Sequence, residues 1–522
     1  MRLLLRSIPL LAILLVVSIP TLAPADDDGL AKRLDEAIDA PDYKHASWGI
    51  LVVDAKTGAT VYSRNPDAML APASVTKLFT CAAALIALGP DHRFETTVYS
   101  RGLPLNGTLR GDLILVASGD LTLGGRTDKQ GKITYRDKDH TYANSGLMDA
   151  ELTDTDPLAG LDELAKQVKA SGIKQIDGDV LVDDRLFART RGSGSGPDAV
   201  TPIVVNDNVI DITIEPGANV GDPAKIATRP QTAFFQVDAL VTTAAEKASP
   251  DLQILNVGAN QFAVRGRIAK GAKPIVRIYP VEDPALFARA LFVEALRRNG
   301  VKANAAILRP GNAALPEKNA YDRLPKVATF TSPPFEETLA VTLKVSHNLY
   351  ASTLPCLVAV STGGTTADQG LRTERKILKE LGVEVGAVSF GGGAGGASAD
   401  HVSARAAVQL LQGLAKRDEW EVYKAALPIL GVDGTLAETV KPDSPARGKV
   451  FAKTGTLVWY DAANDRFLLK SKALAGTMIT KNGTTLYLAM MVNNVPLPKG
   501  ATSSREGKML GKLCELLYEN GP

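Results

Sequence analysis

Cysteine and histidine are both scarce in this chain of 522 residues, and their scarcity excludes several chemistries. The three cysteines, Cys81, Cys356 and Cys514, are too few for a disulfide framework, and the odd count leaves one unpaired unless it bridges chains. Each lies in an apolar, helix-like context where a buried thiol is the default. A bridge between Cys81 and Cys356 stays open. The five histidines, His45, His92, His140, His347 and His401, show none of the short spacings of metal ligands, so no metal and no cofactor are expected. An excess of one charge is missing too. Lys and Arg total 59 against 57 Asp and Glu, a formal charge of +2, and no basic block marks a nucleic-acid partner. Long apolar runs are absent beyond the first 25 residues, so no later segment is expected to span a bilayer.

The first residues carry an address rather than a fold. Arg2 and Arg6 flank a short apolar run over 10–17, and Ala23-Pro24-Ala25 precedes Asp26-Asp27-Asp28. That pattern predicts a signal peptide over 1–25, cut after Ala25, and hence an exported protein. Peripheral association with a membrane surface and the oligomeric state are left open.

Three short polar motifs follow in a fixed order: Ser74-Val75-Thr76-Lys77, Ser346-His347-Asn348 and Lys453-Thr454-Gly455. Each alone is weak, since a helix cap or a solvated lysine explains it, but together they outline a serine acyl-transfer site that needs no histidine. Ser74 precedes an alanine-rich apolar stretch over 78–88 that reads as a buried helix stopped by Gly89-Pro90. Lys77 then shares a helix face with Ser74, with side-chain bases about 5–6 Å apart. Burial and a nearby second cation would depress its pKa and supply a neutral amine as general base. Ser346 and Asn348 open a second apolar helix, expected to be interrupted at Pro355. Lys453-Thr454-Gly455 sits in a strand pattern over 448–457, where a glycine admits close backbone approach and lysine with hydroxyls can bind a carboxylate.

Two look-alikes and one loop are set aside. Lys56-Thr57-Gly58 repeats the third motif but lies between strand-like runs at 50–53 and 60–62, the sequence of a hairpin turn. Gly391, Gly393 and Gly396 fit a dinucleotide fingerprint, yet the next helix begins only after Ser403, its expected cap, which argues against that use. The Gly/Ser stretch over 192–196 is expected to be a flexible loop.

With these motifs the chain resembles the penicillin-recognising serine enzymes, and most closely the D-alanyl-D-alanine carboxypeptidase/endopeptidase family of class C penicillin-binding proteins. Matching stretches include Gly107-Thr108-Leu109-Arg110-Gly111-Asp112-Leu113, Asp183-Asp184-Arg185-Leu186-Phe187, Val205-Asn206-Asp207-Asn208-Val209 and Gly431-Val432-Asp433-Gly434-Thr435. The resemblance spans about residues 30–515. It implies Ser74 as acylated nucleophile, Lys77 as its base, Ser346 as proton shuttle and Asn348 as partner of the substrate amide. Lys453 and Thr454, with Gly455 and Thr456 on the same strand, would bind the substrate and its terminal carboxylate, and the N–H groups of Ser74 and Thr456 would form the oxyanion hole. Two departures stand out. The family's D-G-S-G-L-S loop reads Gly392-Gly393-Ala394-Gly395-Gly396-Ala397 here, and the middle of the second motif, often aspartate, is His347.

The gap from Ser74 to Ser346 is more than twice that from Ser346 to Lys453, which locates an insertion in the first. The resemblance and the spacing predict an α+β fold: a penicillin-binding, serine β-lactamase-like transpeptidase domain, an antiparallel sheet flanked by helices, with a large, mostly β insertion. The catalytic domain would be split over 29–92 and 329–522, the inserted domain over 93–203 and 281–328, with a small β domain over 204–280 nested in it. The implied function is a penicillin-sensitive, serine-type D-alanyl-D-alanine carboxypeptidase of the periplasm, with endopeptidase action as an extension, and peptidoglycan peptides and β-lactams as partners. The alternatives are a catalytically impaired peptidoglycan-binding protein and a serine β-lactamase or esterase.

Overall fold

The computed structural model describes residues 27–145, 149–308 and 314–522, so the expected signal peptide lies outside the described residues. The two ends of the chain build one five-stranded sheet, ordered Thr60–Arg64, Ser47–Asp54, Thr485–Pro496, Arg466–Ile479, Val450–Asp461. All its pairings are antiparallel. Lys56-Thr57-Gly58 is the turn of its first hairpin, where the Asp54 carboxylate accepts from the Lys56 and Thr57 N–H groups.

Helices cover this sheet on both faces, which explains why its central strands read as continuous apolar runs rather than alternating ones. Ile50 and Val52 point to one face, into a core with the helices Asp27–Ile38 and Ser504–Asn520. Leu51 and Val53 point to the other, into a core with Thr76–Leu88, Phe335–Lys344 and Ala404–Leu414. Thr76–Leu88 runs through the middle of that second layer and is buried from Thr76 to Leu85, as its all-round apolar sequence requires.

Between residues 93 and 328 the chain forms further sheets. One orders Lys326–Thr331, Glu95–Ser100, Leu113–Val116 and Val180–Asp183, packed with the helices Ala159–Ala170 and Pro284–Arg298. Beyond it, Lys225–Arg229, Val209–Glu215 and Ile275–Pro280 make a second sheet, and Gln236–Ala244, Gln261–Ala269 and Asp251–Gly258 a third, whose first two strands run parallel. No described helix is long and apolar enough to cross a membrane.

Pro355 does not interrupt its helix, contrary to expectation: Asn348–Ser361 is continuous with the proline inside it. Proline lacks the N–H that would bond the Ala351 carbonyl. Gly393 lies against that freed carbonyl so tightly that a β-carbon on it would stand 2.0 Å from the oxygen. A glycine loop packs over the gap, and that loop borders the candidate site.

Candidate active site

The chain enters the site with Ala73 at φ +46°, a conformation sparsely populated by residues with a β-carbon. One 3-10 turn, Ala73–Val75, leads directly into Thr76–Leu88 and presents Ser74 at the head of that helix. Lys77 Nζ donates to Ser74 Oγ at 2.9 Å, to Asn348 Oδ1 at 2.8 Å and to the Ala394 carbonyl at 2.7 Å. Lys77 is fully buried, and desolvation brings its pKa down to about 7, with Cys81 and Asp400 acting weakly the other way. A large neutral fraction at pH 7 lets this amine accept a proton from the hydroxyl beside it.

Asn348 opens its helix one residue after His347, the N-cap, whose Nδ1 accepts from the Tyr350 N–H at 3.3 Å. Ser346 holds φ +62° and is anchored through its carbonyl, which accepts from the Tyr142 hydroxyl at 2.6 Å. Thus Ser74, Lys77 and Asn348 join through direct hydrogen bonds across two separate chain segments, with Ser346 two residues before Asn348.

The third motif lies on the edge strand Val450–Asp461, paired with Arg466–Ile479. A β-carbon on Gly455 would stand 2.3 Å from the Pro72 carbonyl, so the glycine is what lets this strand reach the Ser74 turn. Lys453 is fully buried and donates to the Thr454 carbonyl at 2.8 Å. Burial first, then repulsion from Lys77, hold its pKa well below the usual lysine range. The Thr454 hydroxyl bonds the Thr435 hydroxyl at 2.7 Å, and Lys472 Nζ donates to Thr456 Oγ1 at 2.9 Å. Lys472 itself is lowered to about 8 by burial. Three amines are destabilised as cations at this end of the site, and an anion placed among them would restore their charge.

Two loops line the site in ways their sequences did not convey. The glycine run over 391–397 supplies the Ala394 carbonyl to Lys77, and its Gly395, at φ +90°, leaves only 1.9 Å between a built β-carbon and the Ala73 carbonyl. Ser403, as expected, caps the next helix, its hydroxyl accepting from the Ala406 N–H. The stretch over 192–196 is a shaped strap rather than a free loop. The Ser195 carbonyl accepts from Asn348 Nδ2 at 3.0 Å, and Ser193 Oγ accepts from the Gly396 N–H at 3.1 Å. Gly194, at φ +94°, approaches the Asn348 amide so closely that a β-carbon would lie 2.6 Å from Nδ2. Glycine there serves close approach, a use that composition cannot distinguish from flexibility.

Tyr142 and Lys472 carried no site signal in the sequence, because each arrives from a segment without a motif of its own, and Thr435 stood in a family-matching stretch with no role attached. The three cysteines are free and buried, so no bridge joins Cys81 to Cys356. No cluster of metal-ligating side chains occurs among the described residues. Gly395→Ala is expected to destabilise the fold by about 2–3 kcal/mol, from left-handed strain and the clash with Ala73 together. A thermal melt checks it, and an unchanged midpoint would show that the loop yields freely.

Comparison with known proteins agrees with this geometry over most of the chain. A D-alanyl-D-alanine carboxypeptidase from an Actinomadura species is 32% identical over 477 residues, covering 86% of this chain and 81% of that protein. The carboxypeptidase DacB of Haemophilus influenzae is 27% identical, covering 84% of each. The crystal structure of penicillin binding protein 4 from the same organism, complexed with a novel β-lactam, superposes with a TM-score of 0.68 at 23% identity, over 94% of this chain and 99% of that one. The D-Ala-D-Ala carboxypeptidase 3 (S13) family matches residues 30–512. With the serine, lysine and asparagine of its site joined as described, the chain belongs to that family.

Proposed function

We propose that this chain is an exported serine-type D-alanyl-D-alanine carboxypeptidase acting on peptidoglycan stem peptides, with β-lactams as acylating inhibitors. The observation that carries the reading is the buried Lys77 amine bonded at once to Ser74 Oγ and Asn348 Oδ1. Neutral Lys77 takes the Ser74 proton as Oγ attacks the carbonyl of the terminal D-alanyl-D-alanine bond. The N–H groups of Ser74 and Thr456 hold the resulting oxyanion, each such donor lowering the barrier by about 2.7–4 kcal/mol. Ser346 passes a proton to the amine of the departing D-alanine, leaving an ester on Ser74 that water then cleaves. Asn348 orients the substrate amide, and Lys453, Thr454 and Gly455 receive the terminal carboxylate, whose arrival restores the charge on Lys453. Longer peptides crossing the same groove would extend the activity to endopeptidase cleavage. In this reading segments 29–92 and 329–522 form the catalytic domain, 93–203 and 281–328 an inserted domain, and 204–280 a small β domain within it.

The test is the intact mass of the mature chain after incubation with benzylpenicillin, beside Ser74→Ala. The expected result is one stable penicilloyl adduct on the wild type and none on the variant. No adduct with penicillin left intact would favour a binding protein, whereas rapid penicillin turnover would indicate a β-lactamase.

A further inference from the structure

Behind the second motif lies a buried ionic cluster that the chemistry above does not use. Its cations are Arg126, His140 and Arg229, and its anions Asp139, Asp207 and Asp211. Asp207 is the hub. Its Oδ2 accepts from Arg126 Nη2 and His140 Nε2, each at 2.6 Å, and its Oδ1 accepts from the Tyr350 hydroxyl. The chain reaches this position through three consecutive left-handed residues, Asn206, Asp207 and Asn208, at φ +48°, +51° and +53°. Such a run is costly without a purpose in the surroundings.

The cluster meets the site at His347. That ring is completely buried and stacks on Tyr350 at 3.7 Å. Its Nδ1 accepts from the Tyr350 N–H and so caps the helix that begins with Asn348. Nδ1 can accept only if it carries no proton, which puts the proton of the neutral ring on Nε2. Nε2 faces Asp207 Oδ1 at 3.6 Å and has no hydrogen-bond partner. A carboxylate at that distance favours N–H over a lone pair. The opposite tautomer would aim a ring N–H at the Tyr350 N–H and undo the cap.

We propose that Asp207 is a positioning residue for acylation: it holds His347 in the tautomer that caps the Asn348 helix, and so keeps the Asn348 amide on Lys77. The proposal rests on the roles given above to Ser74 and Lys77. It explains how a histidine serves at a position where a side chain that caps unaided, such as aspartate or asparagine, would need no such support.

The test is the rate of Ser74 acylation by benzylpenicillin in the mature chain and in Asp207→Asn, His347→Asn and the double variant. Asparagine at 347 accepts the Tyr350 N–H through its amide oxygen and has no tautomer to set. Asp207→Asn is expected to slow acylation about tenfold when His347 is present and less than about twofold in the His347→Asn background. Equal slowing in both backgrounds would mean Asp207 acts only as a structural prop and overturns the proposal. Should Asp207→Asn fail to fold, nitrogen NMR of the histidine-labelled wild type decides: a proton on His347 Nε2 is expected, and a proton on Nδ1 overturns it. A wild type that folds but never acylates refutes the Ser74 reading instead, and the tautomer measurement still decides the role of Asp207.

Discussion

Replacing Lys77 with alanine is expected to slow acylation of Ser74 by a factor of about 10²–10⁴, the usual contribution of a positioned general base. No second base stands ready: among the described residues, the groups bonded to Ser74 Oγ begin and end with Lys77 Nζ. The pH profile gives an independent check. Lys77 must be neutral to work, and burial sets its pKa at about 7, so the wild-type acylation rate should rise as pH increases through about 7 and level off above it. The residual rate of the alanine variant should lack that step. Stability follows the same proton. Because the folded pKa lies below the ordinary lysine value of 10.5, the unfolded chain binds the proton more readily. Folding stability therefore carries the full cost below pH 7 and recovers as pH rises toward the ordinary value. The site stores a strained amine for chemistry. An acylation rate flat from pH 5 to 9 in the wild type would sink the assignment of Lys77 as base.

The parts of this design legible in the sequence are those encoded locally. Ser74 and Lys77 share a helix turn, so their spacing alone brings them together, and three strands of the sheet declared themselves through the runs at 50–53, 60–62 and 448–457. Asn348 and Gly455 were recognisable as motif members, but the 271-residue reach by which Asn348 meets Lys77 came from resemblance, not from pattern. What stayed hidden depends on long-range approach. Gly194 and Gly395 look like flexible-loop glycines, yet each sits at positive φ with another segment inside β-carbon distance. Pro355 reads as a helix breaker, yet the helix runs on through it with Gly393 packed against the Ala351 carbonyl. The parallel pairing of Gln236–Ala244 with Gln261–Ala269 was equally invisible, since alternation assigns faces and not partners. Lys472 and Tyr142 belong to no motif and enter the site only through the sheet register and the insertion.

The largest expected loss of stability falls on Arg126→Ala, far from the nucleophile in sequence but behind its second motif. Arg126 is buried, with its guanidinium 2.8 Å from Asp139 and 2.6 Å from Asp207. Taking such a cation away leaves two buried carboxylates each short of a charged partner, which typically costs about 3–5 kcal/mol. Domains of ordinary stability have only about 5–15 kcal/mol in total, so the variant is expected to melt far below the wild type or to fold poorly. The pH dependence distinguishes lost charge pairing from lost packing. Burial alone would push Asp139 upward, yet Arg126 and His140 hold it at about 2, and Asp207 is likewise held well below the carboxylate range. Depressed carboxylate pKa values stabilise the fold fully above the ordinary range near 4, and that stabilisation fades as pH falls toward about 2. The gap in melting temperature between wild type and Arg126→Ala should therefore be widest near neutrality and narrow below about pH 4. A gap that stays constant from pH 7 to pH 3 would assign the loss to the missing side-chain volume, and a gap no larger than an exposed substitution gives, about 0.5 kcal/mol, would remove the ionic cluster from the account of how the insertion supports the site.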